Sequence, residues 1–317
     1  MQPSPQDPPL PPLAILTGPT GVGKTEIAIR VAEQLGTEIL SADSMAVYIG
    51  MDAATAKPGI ELRQRVLHHM IDVADPFQGF TVAEYRRQAI PIIDRIRSAG
   101  RSPLLVGGTR LYLLSLTTGF DAGPEPSAEF RGTLETTPSE TLHRTLADVD
   151  PDSAARLKPQ DRKRIVRALE VLHLTGKSIT ELQRESHHSE GYPAVWIALV
   201  RDRDELYRRV EARVDELLAN GLEDEIHRLV AGGLGMDSVA MQGHGYKELL
   251  PSLRGEYSYE EGVRLMKRNT RRYVKYQLMW LRGMDHVRYV RADAPLDSVV
   301  AEVVNHYAEC GVPTSGE

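Results

Sequence analysis

Residues Leu13–Thr25 read LAILTGPTGVGKT. Leu13–Thr17 is a short apolar run that stops at a glycine-rich turn, as a buried parallel strand does. Gly18 to Thr25 fits G-x-x-x-x-G-K-[ST]. Lys24–Leu35 then carries Ile27, Ala28, Val31, Ala32 and Leu35 on one side, the stripe of a helix packed on a sheet. Strand, glycine loop and helix in that order are the context in which this motif is a phosphate-binding loop. Glycines let backbone N–H groups turn inward around phosphate oxygens, and the helix N-terminus adds positive potential. Lys24 supplies a point charge, and the Thr25 hydroxyl can hold Mg²⁺. Gly18, Pro19, Thr20, Gly21, Val22, Gly23, Lys24 and Thr25 are therefore the expected binding residues for a diphosphate or triphosphate.

Outward from this loop the pattern repeats. Glu38–Ser41 reads as a second strand and Tyr85–Ser98 as a helix with Ala89, Ile92, Ile93 and Ile96 on one side. Ser102–Val106 is a third buried strand, ending in Gly107-Gly108-Thr109, and Val195–Val200 is another. Strands alternating with helices predict an α/β fold, a P-loop NTPase-like parallel sheet flanked by helices. The rhythm breaks after Phe120. Asp121–Pro126 is a linker, and Ser127–Glu185 has helical character throughout. The expected organisation is a disordered proline-rich tail over 1–12, the first part of the core over 13–119, a helical insertion over 120–192, and the core resumed with basic C-terminal helices over 193–317.

A chain of 317 residues, 41% hydrophobic and 26% charged, has room for two such substructures around an ordinary globular core. Its single cysteine, Cys310, excludes an internal disulfide or a multi-cysteine zinc site and points to a reducing, cytoplasmic setting. No apolar run approaches the length of a membrane span, and the N-terminus lacks the order of a signal peptide. The net charge of −6 argues against a polyanionic partner only on average. Acids crowd Leu222–Glu225 and Glu256–Glu261, whereas Arg156–Arg167 and Arg264–Arg291 are basic, with Asp285 the only acid in the latter. Local potential decides whether a polyanion docks. On a helix, Arg264, Arg268, Arg271, Lys275 and Arg282 fall on one side, with Leu265, Met266, Tyr273, Trp280 and Leu281 supplying apolar surface.

A P-loop does not name the chemistry. Phosphoryl-transfer proteins commonly end a buried strand in an aspartate that holds the metal. Here Leu104–Val106 runs into Gly-Gly-Thr with no acid, and the nearest well-placed carboxylate is Asp43, just past the second strand. Asp43 could bind a metal or take a proton from a nucleophile. Paired histidines at His68-His69 and His187-His188 suggest a metal, but neighbours on an extended segment point to opposite sides, so no site is assigned to them.

The sequence SADSMAVYIGMDAATAKP (Ser41–Pro58) after a GPTxxGKT loop resembles the tRNA dimethylallyltransferase family in its bacterial form. HHMID (His68–Asp72) with Asp75-Pro76, VGGTRLY (Val106–Tyr112), DRKRIVRALEV (Asp161–Val171), Thr175–Lys177, GYKE (Gly245–Glu248) and KYQLMWLR (Lys275–Arg282) resemble further blocks of that family in the same order. The resemblance implies transfer of a dimethylallyl group from dimethylallyl diphosphate to the exocyclic amine of the adenosine immediately 3′ of the tRNA anticodon. It implies Mg²⁺ at Thr25, Asp43 as general base, Thr109 lining the channel where amine and allylic carbon meet, and Arg167 on the diphosphate. It implies tRNA contacts at Asp43, Ser44, Met45, Ala46 and Thr109; at Arg131 and Lys163, Arg164, Ile165, Val166 and Arg167; at Gln242, Gly243, His244, Gly245, Tyr246 and Lys247; and at Lys275, Tyr276, Gln277, Leu278, Met279, Trp280, Leu281 and Arg282. The target base has to leave its stack to enter a closed channel. A monomer is the default state.

The match departs from the family at four positions. Ala46 stands where the family usually has Gln, Ile49 and Tyr276 where it has Arg, and Arg110 where it has a small or apolar residue. No zinc-finger motif follows Arg282, unlike eukaryotic members. Three rival readings follow: a nucleotide-dependent kinase or ATPase, a non-catalytic RNA-binding relative, and a transferase acting on a free adenine nucleotide.

Overall fold

The computed structural model describes residues 10–55, 57–118, 123–186 and 191–315. β1 (Leu13–Thr17) enters the glycine loop and α1 (Lys24–Leu35) leaves it, followed by β2 (Ile39–Ser41). Next come α2 (Ile60–Arg65), the short β3 (His68–His69), α3 (Val82–Ser98), β4 (Leu104–Gly107) and α4 (Arg110–Thr117). Five helices succeed them: α5 (Ala128–Leu134), α6 (Ser139–Val149), α7 (Pro151–Arg156), α8 (Arg162–Thr175) and α9 (Ile179–Ser186). β5 (Ala194–Val200) resumes the sheet before α10 (Arg203–Ala219), α11 (Leu222–Ala231), α12 (Tyr246–Leu253) and α13 (Tyr259–Arg282). β6 (Val287–Arg291) and α14 (Leu296–Glu309) close the chain.

The six strands form one sheet in the order β3-β2-β4-β1-β5-β6, every pair parallel. The α/β class read from the sequence holds, and β3 and β6 are additions to it. β3 is two residues long, and β6, VRYVR, exposes most of its side chains, so neither carries the apolar run that marks a buried strand. Ala14 and Leu16 pack in a core with Ile27, Val31, Val299 and Val303 from α1 and α14. Leu13 and Ile15 point to the opposite side of the same strand and are also fully buried, so both sheet faces are covered. α3 starts on a capping box: Thr81 accepts from the Glu84 N–H, and the Glu84 carboxylate accepts from the Thr81 N–H.

The chain divides into two compact units, Met1–Leu113 with Pro193–Glu317, and Leu114–Tyr192. Of the proline-rich tail, residues 1–9 lie outside the described residues. Leu10, Pro11 and Pro12 are held: Arg97 donates to the carbonyls of Leu10 and Pro11, and Ser102 Oγ to that of Pro12. Residues 119–122, at the head of the linker, and His187-His188 also lie outside the described residues. No helix among the described residues is long and apolar enough to cross a membrane.

Each unit buries a carboxylate ringed by arginines. In the larger unit Glu38 accepts from Arg95 at 2.6 Å, Arg101 at 3.0 Å and His69 at 2.7 Å. The Arg95 hydrogen bonds, helped by His69 and Arg101 against the cost of burial, lower its pKa to about 2. In the smaller unit Glu170 is fully buried and accepts from Arg131 and the Ser127 N–H at 2.8 Å and from Arg167 at 2.7 Å. Burial alone would raise its pKa, but hydrogen bonds from Arg131 and Arg167 outweigh it and lower the value to about 2. Both groups are depressed from 4.5, so they stabilise the fold fully above about pH 4.5. That contribution disappears as the pH falls towards 2. The melting temperature is expected to stay level from pH 7 to 5 and drop below pH 4.5. Glu170→Gln removes the negative charge and turns one acceptor oxygen into a donor facing a guanidinium, and is expected to cost roughly 1–3 kcal/mol at neutral pH, read by thermal denaturation.

Candidate functional site

Gly21 and Gly23 sit at φ 77° and 103°, in the left-handed region where a side chain is strained. Gly18 meets a second restriction, since a Cβ there would lie 2.6 Å from the Leu199 carbonyl oxygen. Lys24 Nζ donates to the carbonyls of Gly18 and Pro19, each at 2.9 Å. Burial pulls its pKa from 10.5 down to about 8, with Asp43 opposing and Arg213 adding to the fall. A diphosphate is a stronger acceptor than either carbonyl and draws the same ammonium towards itself. From beyond the motif, Arg209 Nε donates to the Gly21 carbonyl at 2.9 Å and Arg201 Nε to that of Val22 at 3.3 Å.

Two adjoining cavities are lined by Thr20 of this loop. The first, of about 190 Å³, is lined by Thr20, Gly21, Gly23, Lys24 and Thr25, with Ala46, Lys57 and Arg209 opposite. The second, of about 270 Å³, is lined by Ser44, Met45, Gln242, Gly243, His244 and Tyr273. Thr20, Asp43, Thr55 and Arg213 line both. Asp43 thus stands where the two meet. Arg209 and Arg213, one helical turn apart on α10, face the same space. Burial lowers the pKa of Arg213, and Glu216 and Asp43 pull it back. The sequence offered no motif for either arginine, and their four-residue spacing was the only available signal.

Asp43 is held by its own turn. Its Oδ1 accepts the N–H groups of Met45 at 2.8 Å and Ala46 at 3.3 Å. Thr109 Oγ1 accepts the Ser44 N–H at 3.0 Å and donates to Ser44 Oγ at 3.3 Å. Thr109, half-buried, braces the turn that carries Asp43 through the first of these bonds. Backbones touch here: a Cβ on Gly107 would lie 2.1 Å from the Ala42 carbonyl oxygen. Further along, Glu225 accepts the N–H groups of Asp52 at 2.8 Å and Ala53 at 3.1 Å and the Tyr246 hydroxyl at 2.6 Å. Lys57 commits its three protons to the Tyr48 carbonyl, Asp52 and Asp72, at 2.6, 2.7 and 2.5 Å. It shapes the first cavity and has no proton left for a ligand.

The residues expected on RNA divide by burial. Lys163, Arg164, Gln242, Lys275, Tyr276, Met279 and Arg282 are exposed. Val166, His244, Lys247 and Leu278 are half-buried. Ile165, Gly243, Gly245, Tyr246, Gln277, Trp280 and Leu281 are buried, Gly243 in the wall of the second cavity. The inner side of α13, at Met266, Thr270, Val274, Gln277 and Leu281, packs inward at helical spacing. The basic stripe shifts accordingly. Arg271 turns inward to pair with Glu211 of α10, and Arg272 takes the exposed position. Arg131 and Arg167 are bound to Glu170. Gln277 instead faces the loop: its Oε1 accepts the Thr20 N–H at 2.9 Å and its Nε2 donates to the Gly108 carbonyl at 3.2 Å. His68 and His69 form β3, and His69 is engaged with Glu38. Among the described residues no group of three or more His, Cys, Asp or Glu could cage a metal.

β4 ends in Gly107 where a phosphoryl-transfer site would carry an acid, and the carboxylate lies between the loop's cavity and a second one. The fold and site are those of a P-loop protein in which a carboxylate stands between two adjoining cavities. The chain belongs to the IPP transferase family, whose profile matches residues 46–284. It is 44% identical over 292 residues to the tRNA dimethylallyltransferase of Geobacter sulfurreducens, covering 90% of this chain and 94% of that one. The tRNA dimethylallyltransferase of Pelotomaculum thermopropionicum is 40% identical over 298 residues, 92% of this chain and 95% of that one. A full-length tRNA isopentenylpyrophosphate transferase from Bacillus halodurans matches with a TM-score of 0.72 at 36% identity, over 94% of this chain and 96% of that one. A eukaryotic dimethylallyltransferase solved acting on tRNA gives 0.80 at 25% identity, over 96% of this chain and 80% of that one. Family membership favours prenyl transfer over the kinase reading.

The lowered pKa of Lys24 has a measurable result. Below about pH 8 the ammonium is charged and suited to an anion; above it, the ligand-free protein loses that charge. Calorimetric affinity for inorganic diphosphate is expected to be level up to about pH 8 and to decline above it. Lys24→Ala is expected to bind weakly with no such decline.

Proposed function

We propose that the protein transfers a dimethylallyl group from dimethylallyl diphosphate to the exocyclic amine of the adenosine immediately 3′ of the anticodon in tRNA. The observation that carries this reading is the sharing of Asp43 by the two cavities. The diphosphate occupies the loop and the adenine enters the second cavity. The allylic C–O bond breaks and its electron pair leaves on the diphosphate. The amine forms the new C–N bond and gives its proton to the Asp43 carboxylate. Charge grows on the leaving group, where Lys24, Arg213 and the loop N–H groups stabilise it. Arg167 is proposed to supply a further guanidinium. An adenine amine is a weak nucleophile, so alignment across the junction contributes much of the rate.

Mg²⁺ fits this site because the exposed Thr25 hydroxyl opens on the first cavity, and a metal without a protein cage takes its remaining oxygens from diphosphate and water. When bound, it neutralises charge on the departing diphosphate. Ala46 presents only a methyl group, so base recognition falls to shape and stacking. The rings of His244 and Tyr273, 4.7 Å apart, stand ready in the second cavity. Exposed Lys275 and Arg282 on α13, with Lys163 and Arg164 on α8, are proposed to hold the RNA backbone. The protein is proposed to act as a monomer in the cytoplasm.

The test is incubation with Mg²⁺, labelled dimethylallyl diphosphate and an anticodon stem-loop with adenosine after the anticodon. Label is expected in the RNA, with Asp43→Ala slower by roughly 10²–10⁴-fold, the usual contribution of a general base. Phosphate release from ATP without prenyl transfer would establish phosphoryl chemistry instead.

A further inference from the structure

We propose that Gln277 is a positioning residue through which RNA docking on α13 and diphosphate binding in the glycine loop strengthen one another. This rests on the reading that α13 meets the RNA. α13 carries exposed Lys275, Tyr276, Met279 and Arg282 on one side and Gln277, 2% exposed, on the other. The Gln277 amide has one orientation that satisfies both of its partners. Oε1 accepts the Thr20 N–H at 2.9 Å, and Nε2 donates to the Gly108 carbonyl at 3.2 Å. Thr20 belongs to the loop and lines both cavities. Gly108 precedes Thr109, which holds the Ser44 N–H beside Asp43. One side chain on the helix thus spans the diphosphate loop and the turn that braces the general base.

The contact has little slack. A Cβ on Gly108 would stand 2.3 Å from Gln277 Nε2, so the turn and the amide are already as close as backbone allows. Val274 and Leu281, fully buried on the same side of α13, keep the glutamine stem from swinging outward. Any shift of α13 therefore reaches Thr20 and Gly108 together. RNA phosphates held by Lys275 and Arg282 restrict that shift. The loop then meets the diphosphate with its geometry already set, and by linkage the diphosphate favours RNA to the same extent.

Calorimetric titration of inorganic diphosphate with Mg²⁺, with and without the anticodon stem-loop, measures the effect. RNA is expected to tighten diphosphate binding to the wild-type chain at least fivefold. Gln277→Leu leaves a backbone donor and acceptor unpaired and is expected to weaken diphosphate alone about tenfold. RNA should then give no further tightening, although it still binds this variant. Gln277→Glu is expected to lose the coupling at neutral pH as well, because a carboxylate keeps the Thr20 N–H but cannot donate to Gly108. As the pH falls and the carboxyl gains a proton, both hydrogen bonds can form together. Coupling should then recover relative to wild type at the same pH, a recovery that side-chain volume alone cannot produce. The proposal is overturned if Gln277→Leu keeps the wild-type coupling, or if Gln277→Glu fails to recover where Gln277→Leu also lacks coupling. Should the stem-loop not bind the wild-type chain at all, its own titration reports that, and the RNA reading of α13 falls with the coupling. Should Gln277→Leu not fold, the pH series on Gln277→Glu decides alone: wild-type coupling at neutral pH, or no recovery as the pH falls, overturns the proposal.

Discussion

The site depends on an absence of space. At the C-terminal ends of β1 and β4 the backbone comes so near its neighbours that no Cβ fits. Gly18 meets the Leu199 carbonyl, Gly107 the Ala42 carbonyl, and Gly108 the amide of Gln277. Van der Waals exclusion at these three points brings the glycine loop, the Asp43 turn and the Gly-Gly-Thr turn together at one end of the sheet. A parallel sheet delivers all its C-terminal ends to one edge, which is where such folds bind ligands. Glycine at the contacts lets those ends close on two adjoining cavities of about 190 and 270 Å³. Electrostatic interactions in such clefts are stronger than in bulk water.

Buried carboxylates set the rest. Glu225 gathers the N–H groups of Asp52 and Ala53 and the Tyr246 hydroxyl. Glu248 gathers the Gly245 N–H and Asn269. Glu38 and Glu170 gather arginines. Each carboxylate is stable in the interior only because several donors converge on it, and so each joins segments far apart in the chain. The wall of the second cavity is built this way. Gly243, His244 and Met45 lie beside segments anchored by Glu225 and Glu248.

Much of the fold was legible because its signals are local. The run Leu13–Thr17, the glycine loop and the stripe on α1 each occupy a few consecutive residues, and α1 spans the residues its periodicity indicates. β3 and β6 were missed because a two-residue strand and an exposed edge strand carry no apolar run. The basic helix was legible as a helix, but which arginines it exposes was not. Arg271 and Arg272 are neighbours of the same type, and only the position of Glu211 on α10 separates their roles. Gln277, Trp280 and Leu281 were grouped with exposed Lys275 and Arg282 for the same reason: a motif records contiguity, and a helix divides contiguous residues between two environments.

Sequence by itself determined the parallel α/β core, the phosphate loop with Lys24 and Thr25, the candidacy of Asp43 and, through colinear motifs, the family. These rest on short-range stereochemistry, glycine where φ is positive and apolar residues at a fixed period. Tertiary structure alone decided that Asp43 stands between two cavities, that Arg209 and Arg213 join the loop from α10, that Thr109 braces the Asp43 turn, and that Gln277 faces inward. Each of these depends on distances between residues up to 257 positions apart. Such distances follow from the packing of helices on the sheet, which local pattern does not specify.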